Sequence, residues 1–356
     1  MIRSMHIIAS PALGGAESFY MRLVKALHET ENHQVLAVNR RRSALGRELS
    51  GAIPQAQVAM RGHRDFLSMW HIRRLIRQHR PEIVQTYMSR ATDLTRVPRA
   101  SHTVHIARLG GFYKLKYFRH ADYWIGNTRG ICDYLIGHGL PSDKVFFISN
   151  FVDDGRVIEE EERLALRHSF SLPEYARIVL ALGRFTRKKG FDVLLEALAR
   201  APAEVGQRPV HLVLLGAGDE ADALHRQAER LGLAGRVHWT GWQTDPAPFF
   251  ALADVFVCPS RHEPLGNVIL EAWSHGVPVI STATDGGLEL IRPGIDGLLV
   301  PVDDAHAMAR MLQDVLSDDR LRSNLAQEGR QTLRQRHGKA AIVQAYDELY
   351  RHVLRS

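Results

Sequence analysis

The chain has 356 residues, 45% hydrophobic and 24% charged, which excludes a disordered chain and suits two domains of ordinary size. No apolar run reaches the roughly 18 residues of a membrane span, and Cys132 and Cys258 form no CxxC pair, so structural zinc and a disulfide framework are disfavoured. Residues 1–155 carry 22 Lys+Arg against 12 Asp+Glu, net +10, whereas residues 156–356 carry 24 against 27, net −3, so the first half suits an anionic partner (a membrane surface, a phosphorylated acceptor or nucleic acid) or simply a solvated basic surface.

In chain order, MIRSMHIIASPALGG reads as a first strand running into a glycine loop and lacks the flanks of a secretory signal. A reducing cytoplasm is the expected location. Strands are expected near residues 6–10, 34–38, 83–87, 105–108 and 123–127. A second set is expected near 178–182, 211–215, 237–240, 255–259 and 277–281, with helical stretches between. This alternation predicts an α/β protein with two doubly wound, Rossmann-like parallel-sheet domains facing a central cleft. The expected division is 1–155, 156–338, and a C-terminal helix at 339–356 packing back on the first domain. No internal repeat or low-complexity tract interrupts it.

Paired glycines at Gly14-Gly15 follow the first strand and precede a helix, where backbone can approach a phosphate or a sugar. The pattern is not GxGxxG, and no acidic residue ends the second strand, which disfavours a nicotinamide cofactor. Residues 65–80 read as a helix ended by Pro81. Met69, Ile72, Leu75 and Ile76 fall on one side of it. Phe66, Trp70, Arg73, Arg74, Arg77 and Arg80 fall on another, a mixture that suits an anionic membrane interface or simply a solvated face. Lys114 and Lys116, among aromatics at 112–119, have the same character.

Two segments of the second half carry the chemistry. Gly183-Arg184-Phe185-Thr186-Arg187-Lys188-Lys189-Gly190 follows a strand and opens a helix. Arg184 offers a planar fork and Lys189 a compact charge, which together suit a diphosphate near a helix N-terminus; the plainer reading is a solvated basic loop. Ser260-Arg261-His262-Glu263-Pro264-Leu265-Gly266-Asn267-Val268 also follows a strand, with Pro264 placed to open the next helix and Glu271 one turn inside it. Glu263 and Glu271 could accept hydrogen bonds from a sugar and a ribose, and amides near Gly266–Val268 could meet phosphate.

GGAE, GRFTRKKGFDVLLEAL, LLGAGDE, a GW after a strand, DVFVCPSRHEPLGNVILEAWSHGVPVISTATDGGLELI and GIDGLLVPVDD occur in that order. By these motifs the chain resembles the family 4 retaining glycosyltransferases of two-Rossmann-domain, GT-B architecture. The resemblance implies that Glu263, Arg184 and Lys189 are the catalytic set. Gly14, Gly15, Trp242, Gly266, Asn267, Val268 and Glu271 would complete the donor site, and the Asp285-Gly286-Gly287 loop would pack nearby. A nucleotide-sugar is the implied donor, with no cofactor and no metal, since Arg184 and Lys189 would take the place of magnesium and no Asp-x-Asp motif occurs. Many relatives place a histidine just after the fifth N-terminal strand; here His105 falls within the strand, and Arg108 or a glycine stands nearer that place. The stretch HIARLGGFYKLKYFRHADYWIGNTRGICDYL is similar to bacterial envelope-sugar transferases, which implies a glycan or lipid-linked acceptor and docking on the inner membrane face. The alternatives are a nucleotide-sugar 2-epimerase and a non-catalytic sugar-nucleotide-binding subunit. Nucleic-acid binding rests on charge alone and is not expected.

Overall fold

In the computed structural model, which describes residues 1–11, 14–49, 51, 53–98 and 101–355, the chain forms two compact units. Unit 1 comprises Met1–Val152 and His337–Ser356; unit 2 is Asp153–Arg336.

Unit 1 runs β1 (Ile2–Ile8), α1 (Gly15–His28), β2 (His33–Arg40), α2 (Ala44–Glu48), β3 (Gln55–Val58), α3 (Phe66–His79), β4 (Ile83–Tyr87), α4 (Met88–Leu94), β5 (Val104–Leu109), β6 (Tyr123–Gly126), α5 (Arg129–Gly137) and β7 (Val145–Phe147). Its strands lie parallel in the order β3-β2-β1-β4-β5-β6-β7, so the winding reverses between β1 and β4. One face buries Met5, Ile7, Val38 and Val84 against Ile72 and Ile76 of α3, as the helical spacing predicts.

The first strand starts at Ile2, four residues earlier than its apolar run suggests. Its polar residues Ser4 and His6 are buried because they bond to each other and to Tyr87, so polarity along the strand does not mark exposure here. β3 escaped the sequence reading because QAQV is a short, half-exposed edge strand. β7 ends at Phe147, two residues before Ser149. Ala12 and Leu13, in the loop before Gly14, lie outside the described residues.

Unit 2 runs α6 (Glu160–Ser169), β8 (Arg177–Leu182), α7 (Phe191–Arg200), β9 (Glu204–Val205), β10 (Arg208–Leu215), α8 (Ala221–Arg230), β11 (Val237–Gly241), α9 (Ala247–Leu252), β12 (Val255–Cys258), α10 (Asn267–Ser274), β13 (Val279–Thr282), α11 (Asp285–Leu290), β14 (Leu298–Val300), α12 (Ala305–Ser317) and α13 (Asp319–Arg336). The parallel order is β11-β10-β8-β12-β13-β14, with β9 antiparallel to β10. The winding reverses between β8 and β12. Val179, Ala181, Leu212 and Leu214 are buried with Leu194 and Leu198 of α7 and Met308 and Leu312 of α12. At roughly 1.5–3 kcal/mol per large apolar side chain, this burial is the main stabilising term of the unit.

The last helix, α14 (Lys339–Val353), belongs to unit 1 and packs on α1, burying Ile342, Tyr346, Leu349, Tyr350 and Val353.

Candidate active site

In an open parallel sheet, ligands sit beyond the strand carboxyl ends where the winding reverses. In unit 2 that point lies between β8 and β12, and the two motif segments of the sequence leave these two strands.

After β8 the chain passes Gly183 and Arg184, makes a 3-10 turn at Arg187–Lys189, and enters α7 through Gly190. Gly190 adopts φ 66°, and a Cβ there would stand 2.0 Å from the Pro259 carbonyl oxygen, so only glycine lets the two loops approach this closely. The Lys188 carbonyl accepts from the Arg261 amide at 2.8 Å and from the His262 amide at 3.3 Å. Across this seam the Lys189 ammonium donates to the Glu263 carboxylate, which also accepts from Ser260 Oγ at 3.4 Å. Burial works against the charge on Lys189, yet Glu263 prevails and holds the ammonium pKa above its ordinary value. Cys258, buried near the pair, has its thiol pushed up by burial and then by Glu263, which disfavours the thiolate. Arg184 is exposed and carries no side-chain hydrogen bond or ion pair among the described residues.

Glu263 is fixed from a third side, since its carbonyl accepts from the Gly286 amide at 2.8 Å. The Asp285-Gly286-Gly287 loop therefore packs on the Glu263 loop, and it does so as the first turn of α11. Pro264 does not open the following helix. Gly266 intervenes at φ 90°, a left-handed conformation that interrupts the chain direction, and α10 begins at Asn267. Asn267 and Val268 thus stand in the first helical turn, where backbone amides favour an anion. Glu271 lies one turn further along and is half-buried. Trp242 follows β11 at the same carboxyl edge, 57% exposed, but two strands away from β8, or about 10 Å at a strand spacing of ~4.8 Å.

Gly14 and Gly15 open α1 at the carboxyl end of β1, beside the reversal point of the first sheet. His105 is 1% exposed, and burial presses its imidazole pKa down to about 3. Its Nε2 pairs with Thr86 Oγ1 at 3.0 Å, so it is a neutral core histidine. Arg108 is also buried. It donates to Tyr346 Oη at 2.8 Å and to Asn150, and lies 4.0 Å over the Phe19 ring, so it ties α14 to the sheet.

On α3, Phe66, Leu67 and Trp70 are exposed by 74%, 76% and 52%, with Arg73, Arg74 and Arg77 exposed beside them. The Arg74 guanidinium sits 5.7 Å from the Trp70 ring centre. Lys114 and Lys116 are exposed on a separate loop, Lys116 over Tyr117 at 4.9 Å. Among the described residues no helix is long and apolar enough to cross a membrane.

Sequence reasoning assigned no role to Arg261, Asp192 or Asp303. Arg261 forks onto Asp192 with both contacts at 2.7 Å, and donates to Asp303 at 2.6 Å and to the Arg187 carbonyl at 2.9 Å. The available signal was an arginine inside the glutamate motif facing an aspartate in the first turn of the helix after the other motif.

Two parallel sheets with phosphate-type loops at one reversal point define the GT-B class of sugar-transferring folds. Comparisons with known proteins agree. The domain described as "Glycosyl transferases group 1" matches residues 162–332, and "Glycosyltransferase Family 4" matches residues 13–156. The chain is 38% identical over 340 residues to the lipopolysaccharide core biosynthesis glycosyltransferase LpsE of Rhizobium meliloti, covering 94% of this chain and 95% of the relative. It is 32% identical to LpsD of the same organism, covering 95% of each. The fold matches that of Anabaena HepE, crystallised with UDP and glucose, at TM-score 0.83 and 21% identity, over 98% of this chain and 99% of that one. The chain therefore belongs to the family 4, group 1 glycosyltransferases. These relatives are described as transferases, not epimerases, and the epimerase alternative is not favoured.

Proposed function

We propose that the chain is a retaining, metal-independent hexosyltransferase that uses a UDP- or GDP-sugar to extend a glycan or lipid-linked acceptor of the lipopolysaccharide-core type. One observation carries this reading: the Lys189–Glu263 pair at the reversal point of the second sheet, with exposed Arg184 in the same loop as Lys189. The lipopolysaccharide-core role of the two Rhizobium relatives supports the acceptor class, and the UDP in the HepE crystal supports the donor class.

In this reading the ligand-free ammonium and carboxylate neutralise each other. An arriving diphosphate takes over Lys189 and engages Arg184, and Glu263 is released to accept hydrogen bonds from the sugar hydroxyls. Glu271 holds the ribose, the first turn of α10 at Gly266, Asn267 and Val268 meets the phosphate, and the backbone near Trp242 meets the base. Gly14 and Gly15, at the start of α1, leave the backbone there open to close approach by a phosphate or a sugar. The acceptor oxygen attacks the anomeric carbon on the face from which the leaving group departs. The bond from that carbon to the diphosphate oxygen breaks, its electron pair stays on the diphosphate, and the acceptor proton passes to it. Catalysis is then charge stabilisation on the leaving group by Arg184 and Lys189. On the acceptor side, α3 would rest against the anionic inner face of the cytoplasmic membrane.

A thermal-shift panel of UDP, GDP, UDP-glucose and GDP-mannose tests the donor assignment. Ligand at 100 times its Kd adds about 2.7 kcal/mol to the folded state. One nucleoside diphosphate is expected to raise Tm by several degrees; no shift with any of the four would defeat the proposal.

A further inference from the structure

The two donor loops are joined by more than the Lys189–Glu263 pair. Arg261, two residues before Glu263, reaches back across the seam and closes a four-way junction. Its fork grips Asp192 at the start of α7, its Nε meets Asp303 in the turn before α12, and one terminal nitrogen also meets the Arg187 carbonyl. The side chain is only 20% exposed, although it serves an exposed edge of the sheet. Asp303, a non-glycine residue, is held at φ 61°, a left-handed conformation that costs on the order of 1–3 kcal/mol unless its surroundings hold it. That conformation sits at the point where Arg261 meets its carboxylate.

We propose that Arg261 is a positioning residue: through Asp192, Asp303 and the Arg187 carbonyl it sets the register of the two loops, and so the placement of Lys189 and Glu263 before the diphosphate and sugar. The inference rests on the proposed donor site. The charged groups facing this guanidinium are Asp192 and Asp303, two carboxylates around one cation, so a neutral replacement leaves both without that cation. The fork geometry matters as well as the charge. Lysine supplies one point charge and cannot make the paired contact to Asp192 while also reaching Asp303.

Calorimetric titration of the full-length protein with UDP and GDP tests this. In an Arg261→Gln variant, the diphosphate that binds the wild type should bind about tenfold more weakly, and Arg261→Lys should recover only part of that loss. The same change in a Lys189→Ala background should have little further effect, because Arg261 acts through Lys189. A merely structural role predicts the same fold-loss in both backgrounds, together with a matching fall in Tm, and that result would overturn the proposal. Asp303→Asn provides a second route if Arg261→Gln does not fold: it should weaken binding in the same direction, and unchanged affinity would count against the junction. Failure of the underlying donor site is separable, since it appears as no binding of UDP or GDP to the wild type, or as no loss in Lys189→Ala alone.

Discussion

Lys189 and Glu263 are both largely shielded, 25% and 14% exposed, and Glu263 stabilises the charged form of Lys189. Removing one partner leaves an uncompensated charge, which costs more than the pair contributes. Glu263→Ala is therefore expected to lower stability by about 1–3 kcal/mol in the ligand-free protein, read from urea melts. Bound diphosphate should restore part of that loss, because it replaces the missing anion beside Lys189. Gly190→Ala should cost at least as much, since the added carbon would overlap the Pro259 carbonyl and occupy a left-handed backbone. A variant as stable as wild type would show that the two loops can part freely. Lys189, Glu263 and Gly190 were legible in the sequence because each lies in a local strand–loop–helix signature. Arg261 was not, because its partners lie 69 and 42 residues away and its role exists only once β8 and β12 are neighbours.

At the scale of elements, α3 carries its exposed apolar residues at its N-terminal end, Phe66, Leu67 and Trp70, with Arg73, Arg74 and Arg77 following within two turns. Aromatic and arginine side chains together suit the boundary between acyl chains and anionic headgroups. Replacing Phe66, Leu67 and Trp70 by Ser should abolish sedimentation with anionic liposomes without lowering Tm, since these side chains lie outside the core. Equal, negligible sedimentation of the wild type with anionic and neutral liposomes would contradict the membrane reading. The exposed face followed from helical spacing, and a C-terminal helix packing on the first domain was expected too, whereas the individual partners of α14 show only in the fold. Tyr350 donates to Gln85 at 2.7 Å, Gln85 donates to Tyr87 at 2.6 Å, and Tyr87 shares a hydrogen bond with His6 at 2.9 Å. Burial keeps the His6 imidazole neutral at the end of this hydrogen-bond chain.

Over the whole molecule, the two wound sheets were readable from alternating apolar runs, while the edge strands β3 and β14 were not, because three or four half-exposed residues carry no periodic signal. Unit 1 needs both chain ends: Tyr346 and Tyr350 are fully buried in it, so removal of residues 337–356 should expose the Phe19 and Tyr20 core and lose cooperative unfolding of that unit, read by differential scanning calorimetry. Burial holds His6 and His105 at pKa values of about 3, below the ordinary 6.5. The unfolded chain then binds more protons than the folded one between pH 6.5 and 3. Stability is fully present above about pH 6.5 and falls on acidification through that window, by up to ~1.4 kcal/mol per pH unit per histidine. His105→Gln should flatten the fall between pH 6.5 and 5; an unchanged slope would mean that His105 protonates in place.

The most direct measurement is release of nucleoside diphosphate from a nucleotide-sugar by the wild type, Arg184→Ala, Lys189→Ala and Glu263→Ala, with a lipopolysaccharide-core acceptor and EDTA present. Loss of a group that stabilises the leaving charge is expected to lower kcat by about 10²–10³ in Lys189→Ala, with wild-type activity unaffected by the chelator. Full turnover by Lys189→Ala and Glu263→Ala would contradict the account, because the diphosphate would then be stabilised elsewhere.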